Sequence, residues 1–104
     1  MPRREKRRYL ALNVQSEEPF IGRMVMHAIE VSVQRLFGEY EASQANLRLI
    51  EHLPQNNQLV IRCSHKTLER VRVAIASTIK INEKAAAIHI VGVSGTLKAL
   101  LKKT

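Results

Sequence analysis

A ferredoxin-like (RRM-like) α+β fold, a β-α-β-β-α-β sandwich with an added C-terminal helix, follows from three features of this sequence. Four short stretches alternate apolar with polar residues or are rich in β-branched ones, which is the period of a strand. Two longer stretches repeat their apolar residues at helical spacing. The order of these stretches makes two β-α-β units that share one antiparallel sheet. At 104 residues and 45% hydrophobic content the chain supplies one core of ordinary size and not two. Residues 1–104 are therefore read as a single domain, with residues 1–7 as a basic N-terminal arm.

The first strand runs from Arg8 to Val14, where Leu10, Leu12 and Val14 alternate with Tyr9, Ala11 and Asn13. Ser16 is placed to cap the helix that follows, Glu17 and Glu18 suit its positive end, and Pro19 is tolerated in a first turn. Ile21, Met24, Val25, Ala28, Ile29, Ser32, Val33 and Leu36 then recur at helical spacing until Gly38 stops the helix. In "SQANLRLIEHL", Leu47, Leu49 and Glu51 alternate; "PQNN" reads as a turn, and "QLVIRCS" returns as the second arm of a hairpin. Ser64 stands where an N-cap belongs, ahead of a stripe formed by Leu68, Val71, Ile75 and Ile79. "INEK" interrupts that helix, and "AAAIHIVGV" forms the fourth strand. Gly95 allows a tight turn after it, and Thr96 is placed to cap a short last helix. Leu97, Leu100 and Leu101 share one face of that helix, with Lys98, Lys102 and Lys103 elsewhere.

Charge points to the partner class. Seventeen Lys and Arg oppose nine acids, all of them glutamates, for a net charge of +8, and such a field concentrates polyanions. The lone Cys63 rules out an intramolecular disulfide and a cysteine-rich zinc site, and reads as a small buried hydrophobe in a reducing compartment. No apolar run approaches the length of a membrane span, and "MPRREKRRYL" lacks the apolar segment of a signal peptide. The expectation is a soluble cytoplasmic protein.

Catalytic constellations are weak. In Gly92-Val93-Ser94-Gly95-Thr96 the second glycine arrives one place early for a nucleophile elbow, and neither a histidine nor an acid follows Ser94. His27, His52, His65 and His89 lack metal-ligand spacing, so no metal site is expected. Small phosphohydrolases of this fold cradle phosphate after strand one, but the loop here, Gln15-Ser16-Glu17-Glu18, is acidic and lacks glycine. What remains is polyanion binding by Arg3, Arg4, Lys6, Arg7 and Arg8, by Lys66, Arg70 and Arg72, and by the last helix, where Lys98, Lys102, Lys103 and the free N-H groups of the first turn would meet phosphate. Only four aromatics occur, none in "QLVIRCS" and only Tyr9 in strand one. The chain is therefore expected to follow the sugar-phosphate backbone and RNA shape rather than to stack bases. The sheet face away from the long helices is apolar enough to need cover, from Leu97, Leu100 and Leu101 or from another subunit.

"RRYLALNV", "VIRCSHKTLERVRVAI" and "INEKAAAIHIVGVSGTLKALLKK" together resemble the ribonuclease P protein component two family, archaeal relatives of the eukaryotic Pop-type subunit. The resemblance rests on Arg8-Tyr9-Leu10, Arg62-Cys63-Ser64 and Ser94-Gly95-Thr96 in order and at compatible spacing, and the segment from Glu39 to Gln58 carries little of it. It implies a ferredoxin-like fold with an added helix, in a subunit of the ribonucleoprotein that removes the 5′ leader from precursor tRNA. It also implies that the RNA component holds the catalytic centre and its magnesium, so that this chain binds no cofactor and contributes no catalytic residue. The implied partners are ribonuclease P RNA, precursor tRNA, a barrel-shaped protein subunit and a second copy of the chain. The matching positions are Arg8, Tyr9, Arg62, Ser64, His65, Lys66, Gly95, Thr96 and Lys98. Of these, Arg8, Arg62, His65, Lys66, Thr96 and Lys98 join the RNA-binding candidates, with a salt bridge to a partner as the alternative for Arg62; Ser64 and Gly95, with the neighbouring Ser94, shape turns or caps, and Tyr9 joins Leu97, Leu100 and Leu101 as partner-binding candidates. Absence of a long acidic C-terminal tail favours an archaeal source. Competing readings are a ribosomal or other structural RNA-binding protein and a small-molecule-binding regulatory domain on the same fold; a free-standing hydrolase comes last.

Overall fold

The computed structural model describes residues 6–53 and 56–103, with the backbone alone for 102 and 103. Its elements are β1 (Arg7–Ser16), α1 (Gly22–Phe37), α2 (Glu39–Ala45), β2 (Arg48–Leu53), β3 (Gln58–Ser64), α3 (Leu68–Ser77), β4 (Lys80–Ile81), β5 (Lys84–Ser94) and α4 (Leu97–Lys103). The five strands form one antiparallel sheet in the order β2-β3-β1-β5-β4. Its first four strands carry the ferredoxin-like order. Helices α1 and α3 cover one face, where Leu10, Leu12 and Val14 of β1 and Leu59, Ile61 and Cys63 of β3 pack against Val25, Ile29, Val33, Val71 and Ile75.

Helix α1 begins later than Ser16 suggests. The Ser16 hydroxyl instead accepts the Glu18 N-H at 3.3 Å, and the helix starts after an extended Ile21 with no side-chain cap. Gly22 opens it because the backbone runs close to the sheet: a Cβ there would stand 2.7 Å from Leu49 Cδ2 and 3.2 Å from Leu59 Cδ2. Ile21 and Leu36 consequently leave the buried stripe, which is Gly22, Val25, Met26, Ile29, Ser32 and Val33. Gly38 ends α1 with φ +93°, a conformation that costs other residues strain, and its N-H donates to the Gln34 carbonyl at 2.9 Å.

Helix α2 replaces what the sequence pattern reads as the start of a strand. Its signs are Glu39 and Glu41 in the first turn, Ala45 fully buried, and Asn46 in the left-handed region at its end. The β2–β3 hairpin then forms as expected, but with an extra residue, Ile50, between Leu49↔Ile61 and Glu51↔Val60. That bulge reverses the alternation, so Glu51 faces away from the helices instead of sharing a face with Leu49.

Ser64 does not cap the second long helix with its side chain; its carbonyl accepts the Thr67 hydroxyl at 3.2 Å within a 3-10 turn, His65–Thr67, that leads into α3. Helix α3 closes at Ser77. The buried Thr78 hydroxyl donates to the Ala74 carbonyl and accepts from Ser32, both at 2.8 Å, which ties α3 to α1. The chain extends at Thr78, so Ile79 leaves the stripe and stands 69% exposed. "INEK" is itself a hairpin: Ile81 pairs with Lys84 around Asn82 and Glu83, both at positive φ as a two-residue type I′ turn requires.

Helix α4 lies on the sheet's other face. Leu100 is fully buried there with Ala11 and Val60, and Tyr9, Ile50 and Leu97 pack around them. Leu101 points elsewhere and is 45% exposed.

Candidate nucleic-acid interface

Antiparallel topology decides which basic residues meet. The start of β1, the end of β3, the start of β2 and the end of β5 share one end of the sheet. Lys6, Arg7 and Arg8 enter there, Arg62, His65 and Lys66 leave there, and the turn through Ser94, Gly95 and Thr96 brings exposed Lys98 to the same end. The Lys6 carbonyl accepts the His65 N-H at 2.8 Å, so the basic entry of β1 and the basic exit of β3 are bonded to each other. Arg8 Nη1 donates to the Arg7 carbonyl at 3.0 Å, and its guanidinium lies against Gly95. Opposite Arg8 in the register is Cys63, whose thiol burial pushes up to about 11 while the Arg8 charge pulls the other way.

On the face that carries α4, a second bulge matters. Val91 is the extra residue between Ala11↔Gly92 and Leu12↔Ile90. Without it, Ser94 would continue the helix-facing set of Ile88 and Ile90; with it, Ser94 joins the other face. The bulge at Ile50 does the same for Arg48. A single row then crosses four strands: Ser94 opposite Tyr9, Tyr9 opposite Arg62, and Arg62 opposite Arg48. Arg62 is half-buried and its Nε is shielded from solvent with no hydrogen-bond partner. Arg48 is exposed. It is the site residue that sequence reasoning missed: a regular hairpin would have set Leu49, not Arg48, opposite Arg62.

Other candidates separate. Arg70 pairs with Glu41 on α2 at 3.5 Å, the ion pair found among the described residues. Arg72 lines a groove of about 550 Å³ between α3 and β5, together with Val73, Ile79 and His89. Arg3 and Arg4 lie outside the described residues, as do the side chains of Lys102 and Lys103. Thr96 caps α4, its hydroxyl accepting the Ala99 N-H at 3.2 Å, and the Ser94 hydroxyl accepts the Thr96 N-H at 3.4 Å. The Ala99 N-H, one of the first-turn groups expected to meet phosphate, is thereby engaged within the turn. Gly95 needs no positive φ, and a Cβ there would only touch Arg8, so the turn does not depend on glycine's freedom. Of the partner-binding candidates, Leu100 is spent inside the chain, Tyr9 and Leu97 are half-buried beside it, and Leu101 is free to meet another molecule.

Glutamates mark the opposite end of the sheet. Glu17 and Glu18, exposed, follow β1 and line a pocket with Phe20, His52 and Asn57, where the Phe20 and His52 rings stack at 5.7 Å. A polyanion brought beside Glu17 and Glu18 would meet carboxylates, with the exposed Lys84 that opens β5 at the same end. Among the described residues no three His, Cys, Asp or Glu come together as metal ligands, and no helix is long and apolar enough to cross a membrane.

Comparison with known proteins gives consistent matches. The model of the Rpp14/Pop5 family matches residues 8–104. Ribonuclease P protein component 2 of Methanosarcina mazei is 34% identical over 100 residues, covering 96% of this chain and 84% of that protein. The Pyrococcus abyssi protein of the same name is 32% identical over 100 residues, covering 96% and 85%. Among solved structures, a chain in the cryo-EM structure of yeast ribonuclease MRP superposes with a TM-score of 0.67 at 12% identity, covering 93% of this chain and 79% of that one. At that identity the likeness is one of fold.

Proposed function

The chain belongs to the Rpp14/Pop5 family of ribonuclease P protein subunits, and from that membership we propose that it assists the catalytic RNA of ribonuclease P in removing the 5′ leader of precursor tRNA. The observation that carries this reading is the family match over residues 8–104, which spans Arg8, Arg48, Arg62, His65, Lys66 and Lys98 of the basic end. Its part in the reaction is to hold RNA. Lys and Arg side chains at that end neutralise backbone phosphates and release their counterions, which favours a compact RNA at low magnesium. Bond cleavage and its magnesium ions belong to the RNA component, and none of this chain's side chains enters the chemistry.

A barrel-shaped ribonuclease P protein subunit is the proposed protein partner. A second copy of this chain is another, and the cytoplasm is the proposed location. Leu101 and the apolar wall of the α3–β5 groove, Val73 and Ile79, are the exposed hydrophobic surfaces such protein contacts would use.

The test is reconstitution of cognate ribonuclease P RNA with the chain, with and without the barrel-shaped subunit, followed by measurement of leader removal at low magnesium. Stimulation by the pair is expected, and its absence would sink the proposal.

A further inference from the structure

We propose that Arg48 and Arg62 act together as a clamp for one RNA phosphate, at the basic end of the sheet face that also carries α4. The two residues are direct cross-strand partners on the face away from α1 and α3. Side chains so placed start about 5 Å apart, and like charges in that arrangement repel. Nothing in the fold compensates: neither guanidinium has an ion-pair partner among the described residues. The nearest acid on the face, Glu51, sits opposite Val60, one row inward, and forms no ion pair with either arginine. Arg62 adds a second cost, because its Nε has lost solvent and gained no acceptor. Opposed cations are what an anion would relieve, and it would meet them at the ends of their guanidinium forks.

A phosphodiester fits this chemistry. Guanidinium presents a planar fork matched to two phosphate oxygens, and two forks rising from adjacent strands converge on one tetrahedral group. Tyr9 and Ser94 extend the same row. Tyr9 packs against the cluster of Ala11, Val60 and Leu100 and is half-buried, so the row offers charge with a single, partly covered aromatic. Lys6, Arg7, His65, Lys66 and Lys98 surround the row at the same end, and such a field suits a chain of phosphates better than a single carboxylate from a protein.

The inference rests on the reading that the chain binds ribonuclease P RNA, and the experiment separates the two. Cognate RNA, labelled and without other proteins, is titrated by fluorescence anisotropy with wild type, Arg48→Gln, Arg62→Gln, the double variant and Arg23→Gln, over a series of salt concentrations. If wild type fails to bind, the parent reading fails. If it binds, each clamp variant is expected to lose about tenfold in affinity at 0.1 M salt, with the salt slope reduced by about one. The double variant should lose little more than either single one, because one phosphate is lost in each case; Arg23→Gln, at an exposed position on α1, should bind like wild type. Unchanged RNA affinity in the clamp variants overturns the proposal, even if binding of a protein subunit suffers. Losses that multiply in the double variant overturn it too, since they describe two independent charges. As a measurement free of ligand, Arg48→Gln should raise Tm in phosphate-free buffer by relieving the repulsion, and a lowered Tm would contradict the strained pair.

Discussion

Single positions show how far a residue's type and its neighbours agree. Cys63 is 1% exposed at the helix-facing side of β3, and burial pushes its thiol up to about 11 from an ordinary 9.0, against the pull of Arg8. A thiol held protonated in the core reacts slowly with alkylating reagents, because the thiolate is the nucleophile. Cys63 should therefore stay unmodified at pH 8 until the protein unfolds, as mass spectrometry after timed alkylation would show. The linkage has a definite sign. The unfolded thiol loses its proton at a lower pH than the folded one, so the contribution to stability is intact below pH 9.0 and falls as pH rises toward about 11. Denaturation measured across that window should show a decline in wild type that is smaller in Cys63→Ala; equal declines would assign it to other groups. Ser64 and Gly95 teach the opposite lesson. Their types announce a cap and a left-handed turn, yet Ser64 contributes its carbonyl and Gly95 adopts no positive φ.

Among the elements, α4 is where local pattern and packing part company. Three leucines and a lysine series describe an amphipathic helix, but the pattern does not say which leucine is held most firmly. In the structure Leu100 fills the contact with Ala11 and Val60 while Leu101 is 45% exposed. Leu100→Ala should cost about 2–5 kcal/mol in chemical denaturation, the range for truncating a buried leucine, whereas Leu101→Ala should stay within about 0.5 kcal/mol. Similar losses in both would mean that α4 docks by a broader face. The longer elements were legible because their cores repeat: Leu10, Leu12 and Val14 in β1, and Val25, Ile29 and Val33 in α1, each hold the period of their type. Short α2 and two-residue β4 were not, since seven and two residues offer too little period to distinguish from a loop or strand. Asn46 and the Asn82-Glu83 pair, all at positive φ, were the available signals.

At the scale of the whole molecule, the placement of charge matters more than its total. Replacing Lys6, Arg7, Lys66 and Lys98 by Gln removes the same charge as replacing Arg23, Arg35, Lys80 and Lys84, all eight residues being exposed. The first set should lower RNA affinity and flatten its salt dependence by about three units of slope, and the second by less than one, in paired titrations. Equal effects would reduce the basic end to a share of net charge. The sequence alone determined the strand and helix periods of the ferredoxin-like order, the positive charge, and the scarcity of aromatics that argues against base stacking. Only the tertiary structure decided which charges stand together. One extra residue at Ile50 and one at Val91 reverse the facing of Arg48 and Ser94 and align them with Tyr9 and Arg62. Side chains on a strand alternate with period two, so a single inserted residue flips every position beyond it. Leu49 packs over Gly22 and Leu100 seats on Ala11 and Val60 beside those insertions, contacts between segments distant in the chain that no local pattern records.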